Sequence, residues 1–375
     1  MRFLIAVLVS LFSLSALAQS VPAPALAANA WVLVDHATGQ VLAGKDPDAR
    51  IEPASLTKLM TAYLTFAALK AGTITPDQVV PVSTKAWRME GSRMFIEPNK
   101  PVTVDELIRG VIVQSGNDAC VALAETIAGS EEAFAALMNR EAQRLGMVNT
   151  NFTNSTGLPD PQLYTSANDL ARLAAAIVRD FPEYYSLYSL KEFTYNNIKQ
   201  PNRNRLLWLD STVDGMKTGH TKSAGYCLVA SANRADRRLI SVLLGAESEA
   251  ARAQESLKLL NYGYQFFEAV KLYDAGQALS QIRVYKGVDN DVPVGFDDDF
   301  KLSLPSGAAS RVQVALTSVQ PVIAPIRKGD PIATLSVTLD GQQIGEYHAL
   351  ALKDVELAGF FGRAWDSTLM WFKSL

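Results

Sequence analysis

Histidine and cysteine are scarce in this 375-residue chain, and their scarcity narrows the chemistry. There are three histidines, His36, His220 and His348, none at metal-ligand spacing from another histidine or a cysteine, so a zinc site is not expected. The two cysteines, Cys120 and Cys227, form no C-x-x-C pair; each falls in an apolar pattern and reads as a small buried thiol rather than half of a disulfide. Charge of one sign is also lacking. The net charge is −3, which excludes an electrostatic nucleic-acid binder. No internal repeat of solenoid length is present. Long apolar runs are missing except at the N-terminus. There Arg2 precedes an apolar run from Phe3 to Leu17, and Ala16-Leu17-Ala18 offers a small-x-small cleavage site before Gln19. The run is short for a spanning helix, and the segment 1–18 is expected to be a cleaved signal peptide.

What remains has ordinary globular composition, 48% hydrophobic and 19% charged. Trp31–Asp35 and Gln40–Ala43 read as a short hairpin around Thr38-Gly39. A mainly helical block follows, with a helix starting at Pro53, then Val104–Val113, Ala119–Ala128 and Glu131–Leu145. Gly225–Ala230 and Leu239–Leu244 are apolar strands, and a helix runs from Ala250 to Phe267. Strands at both ends with helices between predict one mixed α/β domain whose sheet joins the first and last strands, spanning 19–274. Gln281–Tyr285, Leu302–Leu304, Arg311–Leu316 and Ala333–Leu339 alternate as strands, and Asp340-Gly341 marks a hairpin, giving a small all-β domain over 275–354. In the last segment, 355–375, a helical projection puts Leu357, Phe360, Phe361, Ala364, Trp365, Thr368, Trp371 and Phe372 on one face. Gly359, Gly362, Arg363, Asp366 and Lys373 fall opposite. That amphipathic helix is too short and charged to span a bilayer but suits a membrane surface; the bland alternative is a helix docked on the β domain.

No G-x-S-x-G elbow occurs, so a serine hydrolase here would use a lysine base. Ser55-Leu56-Thr57-Lys58 is the only S-x-x-K, directly after a helix-start proline, with Lys58 on the face of Ser55. A helix N-terminus adds backbone N–H donors and positive potential beside the hydroxyl. Ser115-Gly116-Asn117 lies on a helix-to-helix connection; two other S-x-N tripeptides exist, and loop chemistry alone accounts for any of them. Lys217-Thr218-Gly219 is the only K-[S/T]-G and reads as a strand that presents a cation, a hydroxyl and bare backbone, with Gly219 leaving room for close approach.

Singly, each tripeptide or tetrapeptide is weak. Their order and spacing are those of the penicillin-binding proteins and class A β-lactamases. With Pro53–Lys58, Gln114–Cys120, Val213–Thr221 and Asn202-Arg203-Asn204, the chain resembles the low-molecular-mass D-alanyl-D-alanine carboxypeptidases, the penicillin-binding protein 5 and 6 group. The resemblance implies an α/β transpeptidase/β-lactamase-like domain, antiparallel sheet with helices, followed by the all-β domain and the terminal amphipathic helix. It implies Ser55 as nucleophile, Lys58 as base, Ser115 as proton relay and Asn117 as holder of Lys58 and the peptide. Lys217 would be the cation that keeps Lys58 neutral, and the N–H groups of Ser55 and His220 the oxyanion hole. Thr218, Arg203 and Arg252 would bind the terminal carboxylate beside Gly219. The lesser alternative for Arg252 is a helix-surface charge. The implied partners are peptidoglycan stem peptides, β-lactams as covalent inhibitors, and a membrane surface; no cofactor is implied. The implied location is the periplasmic face of a bacterial inner membrane. A class A β-lactamase would supply a dedicated glutamate before a helix, in a long loop, and no clear E-x-x-x-N element of that kind stands between the second and third motifs. A β-lactamase-like hydrolase and a catalytically silent wall-binding protein remain the alternatives.

Overall fold

The structure, a computed structural model, describes residues 21–373. The expected signal peptide lies outside the described residues. The chain forms two compact units, one of Ala23–Tyr273 with Phe300–Ser306, the other of Asp274–Asp299 with the chain from Gly307 onward.

In the first unit, β1 (Ala30–Asp35) and β2 (Val41–Lys45) form the expected hairpin. A smaller hairpin, β3 (Glu192–Tyr195) with β4 (Ile198–Pro201), was not legible in the sequence. The late strands are β5 (Val213–Thr221), β6 (Gly225–Arg234) and β7 (Arg237–Ala246). The sheet runs in the order β2-β1-β7-β6-β5 with every pair antiparallel, and β1 pairs with β7 from Ala30↔Leu244 to Asp35↔Leu239. First and last strands thus meet, as their apolar patterns predict. The helix Glu249–Phe266 packs on β6 and β7, and Ala167–Asp180 packs on β7 and β1. The helix Lys58–Lys70 is buried almost all round, the mark of a core helix rather than a surface one. Its two inward threonines are satisfied: Thr65 donates to the Thr61 carbonyl, and Thr61 to the Ser155 carbonyl at 2.6 Å.

Three elements differ from expectation. The helix predicted from Pro53 begins as a 3₁₀ turn, Ala54–Thr57, and becomes α-helical at Lys58. The helix predicted over Val104–Val113 is α-helical only to Arg109; Gly110–Gln114 is a π-turn that ends at Ser115 in the left-handed region (φ 63°). The segment Leu302–Leu304, expected in the β domain, lies in the strand β11 (Phe300–Pro305), which pairs with β8 (Phe267–Tyr273) inside the first unit. Alternation identified it as a strand but could not say which sheet edge it would join.

The second unit holds β9 (Ser280–Tyr285), β10 (Asp291–Gly295), β12 (Val312–Thr317), β13 (Val322–Ile323), β14 (Pro331–Leu339) and β15 (Gln342–Ala351), in the order β12-β14-β15-β10-β9-β13. β14 and β15 turn at Asp340-Gly341, both at positive φ, as this dipeptide signals. Val284, Val292, Val294, Leu335, Val337 and Ala349 fill its interior. The terminal helix, Phe360–Lys373, starts three residues later than expected. Asp366, placed on its polar face, is buried and accepts from the Lys286 N–H. Phe360, Phe361, Trp365 and Trp371 stay 59–86% exposed. The side that carries Asp366, with Leu369 and Met370 half-buried beside it, is the inner one, and the aromatic side faces out. Among the described residues no helix is long and apolar enough to cross a membrane.

Candidate active site

Ser55 sits in the 3₁₀ turn ahead of the core helix. With three residues per turn, positions i and i+3 eclipse, and this aligns Ser55 with Lys58 more directly than an α-helix would. The Lys58 amine donates to Ser55 Oγ at 3.0 Å, to Asn117 Oδ1 at 2.7 Å and to the Thr156 carbonyl at 2.5 Å. Lys58 is 1% exposed. Burial, with the Arg203 guanidinium adding to it, pulls its amine from 10.5 down to about 8.

Asn117 opens the helix Asn117–Ala128, with Gly116 between it and the left-handed Ser115. Its Nδ2 donates to the Glu90 carbonyl at 2.6 Å, and its N–H to the Ser92 carbonyl at 2.7 Å. Next to it, the buried Asp118 carboxylate accepts from the N–H groups of Met94, Phe95 and Ile96 at 2.8–3.2 Å. The second motif therefore carries one wall of the site, the Glu90–Ile96 segment, on its own side chains. The Ser115 hydroxyl is 2% exposed and has no hydrogen-bond partner. It lines the cleft, where a bound group can reach it.

The third motif lies on β5, the edge of the sheet. Lys217 is buried and donates to the Thr218 carbonyl at 3.0 Å. Burial first, then the charge of Lys58, pushes its amine well below 10.5. Lys217 was expected to be the cation acting on Lys58; the two amines do repel one another, and the Arg203 guanidinium acts on both. Repulsion between two buried amines is mutual, so protons leave the pair more readily than isolated lysines. Gly219 was expected to make room for substrate. A Cβ there would instead stand 3.0 Å from the Pro53 carbonyl and 3.2 Å from the Leu56 nitrogen, so the glycine lets β5 lie against the nucleophile turn. Glu52 joins the same two segments, accepting from Thr221 Oγ1 at 2.8 Å and Ser223 Oγ at 2.5 Å.

Ser55, Ser115, Arg203, Thr218, Gly219, His220 and Arg252 line one cleft of about 400 Å³, together with Ser92, Tyr226 and Glu249. His220 stacks on Tyr226 at 4.0 Å. Two buried asparagines shape the turn that carries Arg203: Asn202 accepts from the Asn204 N–H, and Asn204 donates to the Gly215 carbonyl on β5 at 3.0 Å. Arg252 is no surface charge. It is 5% exposed, donates to the Arg203 carbonyl at 3.4 Å and lies over the Tyr226 ring. The sequence did not point to Ser92, Tyr226, Glu249, Glu52 or the Thr156 carbonyl; a backbone acceptor leaves no residue-type signal. Cys120 and Cys227 are free and buried. The site offers a hydroxyl beside a depressed amine, an unpartnered second hydroxyl and two guanidiniums. That set suits acyl transfer from a substrate ending in a carboxylate.

Residues 17–248 match the family model described as D-alanyl-D-alanine carboxypeptidase, and residues 267–357 the model described as penicillin-binding protein 5, C-terminal domain. The chain is 44% identical over 368 residues to D-alanyl-D-alanine carboxypeptidase DacC of Escherichia coli (strain K12), covering 95% of this chain and 92% of that one. Among solved structures, penicillin binding protein 5 from Haemophilus influenzae is similar with a TM-score of 0.85 and 45% identity, covering 90% of this chain and 99% of that one. Penicillin-binding protein D2 from Listeria monocytogenes, in its ampicillin-bound form, is similar over 65% of this chain and 100% of that one, with a TM-score of 0.60 and 29% identity. A lysine-paired serine in a cleft with two arginines, and likeness along nearly the whole chain, lead to one conclusion: the protein belongs to the D-alanyl-D-alanine carboxypeptidase family, the serine peptidases among the penicillin-binding proteins.

Proposed function

We propose that the protein removes the terminal D-alanine from peptidoglycan stem pentapeptides through an acyl-enzyme on Ser55. The single observation that carries this reading is the 3.0 Å contact of Lys58 Nζ with Ser55 Oγ, at the floor of the cleft that Arg203 and Arg252 line. Lys58 takes the serine proton as Ser55 Oγ attacks the carbonyl between the two D-alanines. The N–H groups of Ser55 and His220 receive the developing oxyanion, and such donors are typically worth about 3 kcal/mol each. The Ser115 hydroxyl passes the proton to the leaving amine. Asn117 holds Lys58 and the peptide, while Lys217 lends positive potential. Thr218, Arg203 and Arg252 hold the carboxylate, with Gly219 keeping β5 close. Water then hydrolyses the ester, activated by Lys58 or by the Ser115 hydroxyl. β-Lactams imitate the D-alanine pair, acylate Ser55 and leave slowly.

The segment 1–18 is removed on export. Residues 19–274, joined by the strand segment 300–306, form the peptidase domain and the rest of 275–354 the β domain, and 355–375 lays the exposed aromatic side of its helix on the periplasmic surface of the inner membrane. Mass spectrometry of pentapeptide digests tests the activity. The expected product is tetrapeptide plus free D-alanine, formed without penicillin, blocked with it, and absent with Ser55→Ala. Release at the wild-type rate by Ser55→Ala removes Ser55 from the mechanism.

A further inference from the structure

Beside the cleft lies a second cavity of about 630 Å³, lined by Trp87, Arg93, Phe95, Ile96, Glu97, Pro98, Asn99 and Asp118. One segment serves both cavities: Ser92 lines the catalytic cleft, and its neighbour Arg93 lines this one. That segment is fixed in place from the second motif, by Asn117 at Glu90 and Ser92 and by Asp118 at Met94, Phe95 and Ile96. The charges around the cavity do not cancel locally. The Glu97 carboxylate is engaged by Lys100 at 2.9 Å and Asn196 at 2.9 Å, and Asp118 by backbone N–H groups. Arg93 has no carboxylate partner among the described residues; its guanidinium lies over the Phe95 ring, 5.1 Å from the centroid. Arg88, over Trp87 at 5.9 Å, has none either, and Trp87 is 41% exposed. A guanidinium backed by an aromatic ring and lacking an anion is a carboxylate receptor with its donors free.

A carboxypeptidase substrate ends at its carboxylate, so nothing extends past the Arg203 and Arg252 end of the cleft. The rest of the substrate lies upstream of the reacting bond, and the residue next to Ser92 on the cleft wall, Arg93, lines the second cavity. We propose that this second cavity is the subsite for the peptide upstream of the D-alanine pair, and that Arg93 binds a carboxylate carried there. Phe95 and Trp87 supply the apolar floor. The inference rests on the carboxypeptidase function proposed above.

The test uses the full-length enzyme and two peptides with the same D-Ala-D-Ala end. One is a short diacylated L-Lys-D-Ala-D-Ala with no upstream charge; the other is L-Ala-γ-D-Glu-L-Lys-D-Ala-D-Ala, which carries an upstream carboxylate. In Arg93→Gln, the kcat/KM ratio of acidic to uncharged peptide is expected to fall roughly tenfold, mainly through KM, with Arg93→Lys restoring part of it. The ratio is internal to one preparation, so a loss of active fraction cancels. In the wild-type enzyme, raising salt should increase KM for the acidic peptide more than for the uncharged one. An unchanged ratio in Arg93→Gln, or equal salt effects on both peptides, overturns the subsite. Failure of the wild-type enzyme to release D-alanine from either peptide overturns the function it rests on instead.

Discussion

The Lys58 amine is drawn in two directions. Three acceptors, Ser55 Oγ, Asn117 Oδ1 and the Thr156 carbonyl, favour its protonated form; burial opposes it more strongly and leaves it at about 8. As the base, Lys58 works unprotonated, so acylation of Ser55 is expected to rise with pH through about 8 and level above it. Stopped-flow acylation by a fluorescent penicillin across that range checks this. The lowered value also bears on stability. Below about 8 the folded state carries the full cost of a charged buried amine, and between about 8 and 10.5 that cost is relieved, so this lysine makes the fold firmer as pH rises through that window. Lys58→Arg keeps charge at every pH and removes the base. The acylation rate should drop by roughly 10²–10⁴, the span of general-base catalysis, and lose its dependence on pH near 8. A variant that retained the wild-type profile would assign the base elsewhere.

At the scale of elements, the site depends on how short segments are pinned to one another. The π-turn Gly110–Gln114 adds a residue per turn and delivers Ser115 in the left-handed region, turning its hydroxyl out of the helix line. A Cβ on Gly110 would meet the Met94 side chain, so this turn also seats the Glu90–Ile96 wall. Asp118 holds that wall through charge-assisted bonds to three N–H groups. Asp118→Asn removes the charge and turns a donor towards donors, at an expected cost of about 1–3 kcal/mol, read as a lowered denaturation midpoint. Gly219 sets the spacing of β5 to the nucleophile turn. Gly219→Ala has to push the Pro53 carbonyl and the Leu56 nitrogen back by a few tenths of an ångström. Because misplacement of this order separates the oxyanion donors, penicillin acylation is expected to slow roughly 10- to 100-fold while thermal stability falls little. Acylation at the wild-type rate would show that β5 has slack there.

For the whole molecule, the question is where the terminal helix places the enzyme. It is attached to its own unit at Lys286, whose N–H Asp366 accepts and whose carbonyl accepts the Ala358 N–H at 2.8 Å, and Leu369 and Met370 are half-buried on the same side. Four large aromatic side chains are left in solvent along its other side. A chain ended after Ala358 should lose sedimentation with anionic phospholipid vesicles while still cleaving short D-Ala-D-Ala peptides, because the catalytic cleft is built from residues between Ser55 and Arg252. Continued sedimentation of the truncated chain would place the membrane contact elsewhere.

The order of Ser55, Lys58, Ser115, Asn117, Lys217 and Thr218 along the chain, the strand character of β1, β6 and β7, the Asp340-Gly341 hairpin and the aromatic stripe of the last helix were all determined by the sequence alone. Each is a matter of residue type at a spacing, or of apolar periodicity, which needs no knowledge of distant neighbours. Tertiary structure decided the rest. The 3₁₀ start, the π-turn, the partner of β11 and the burial of Arg252 follow from packing against segments far away in the chain, which overrides local propensity. It also decided that burial, with the Arg203 guanidinium adding to it, depresses Lys58, and that Gly219 is a glycine for the sake of the nucleophile turn. Desolvation and contact distance are properties of three-dimensional surroundings, and no spacing in a linear chain encodes them.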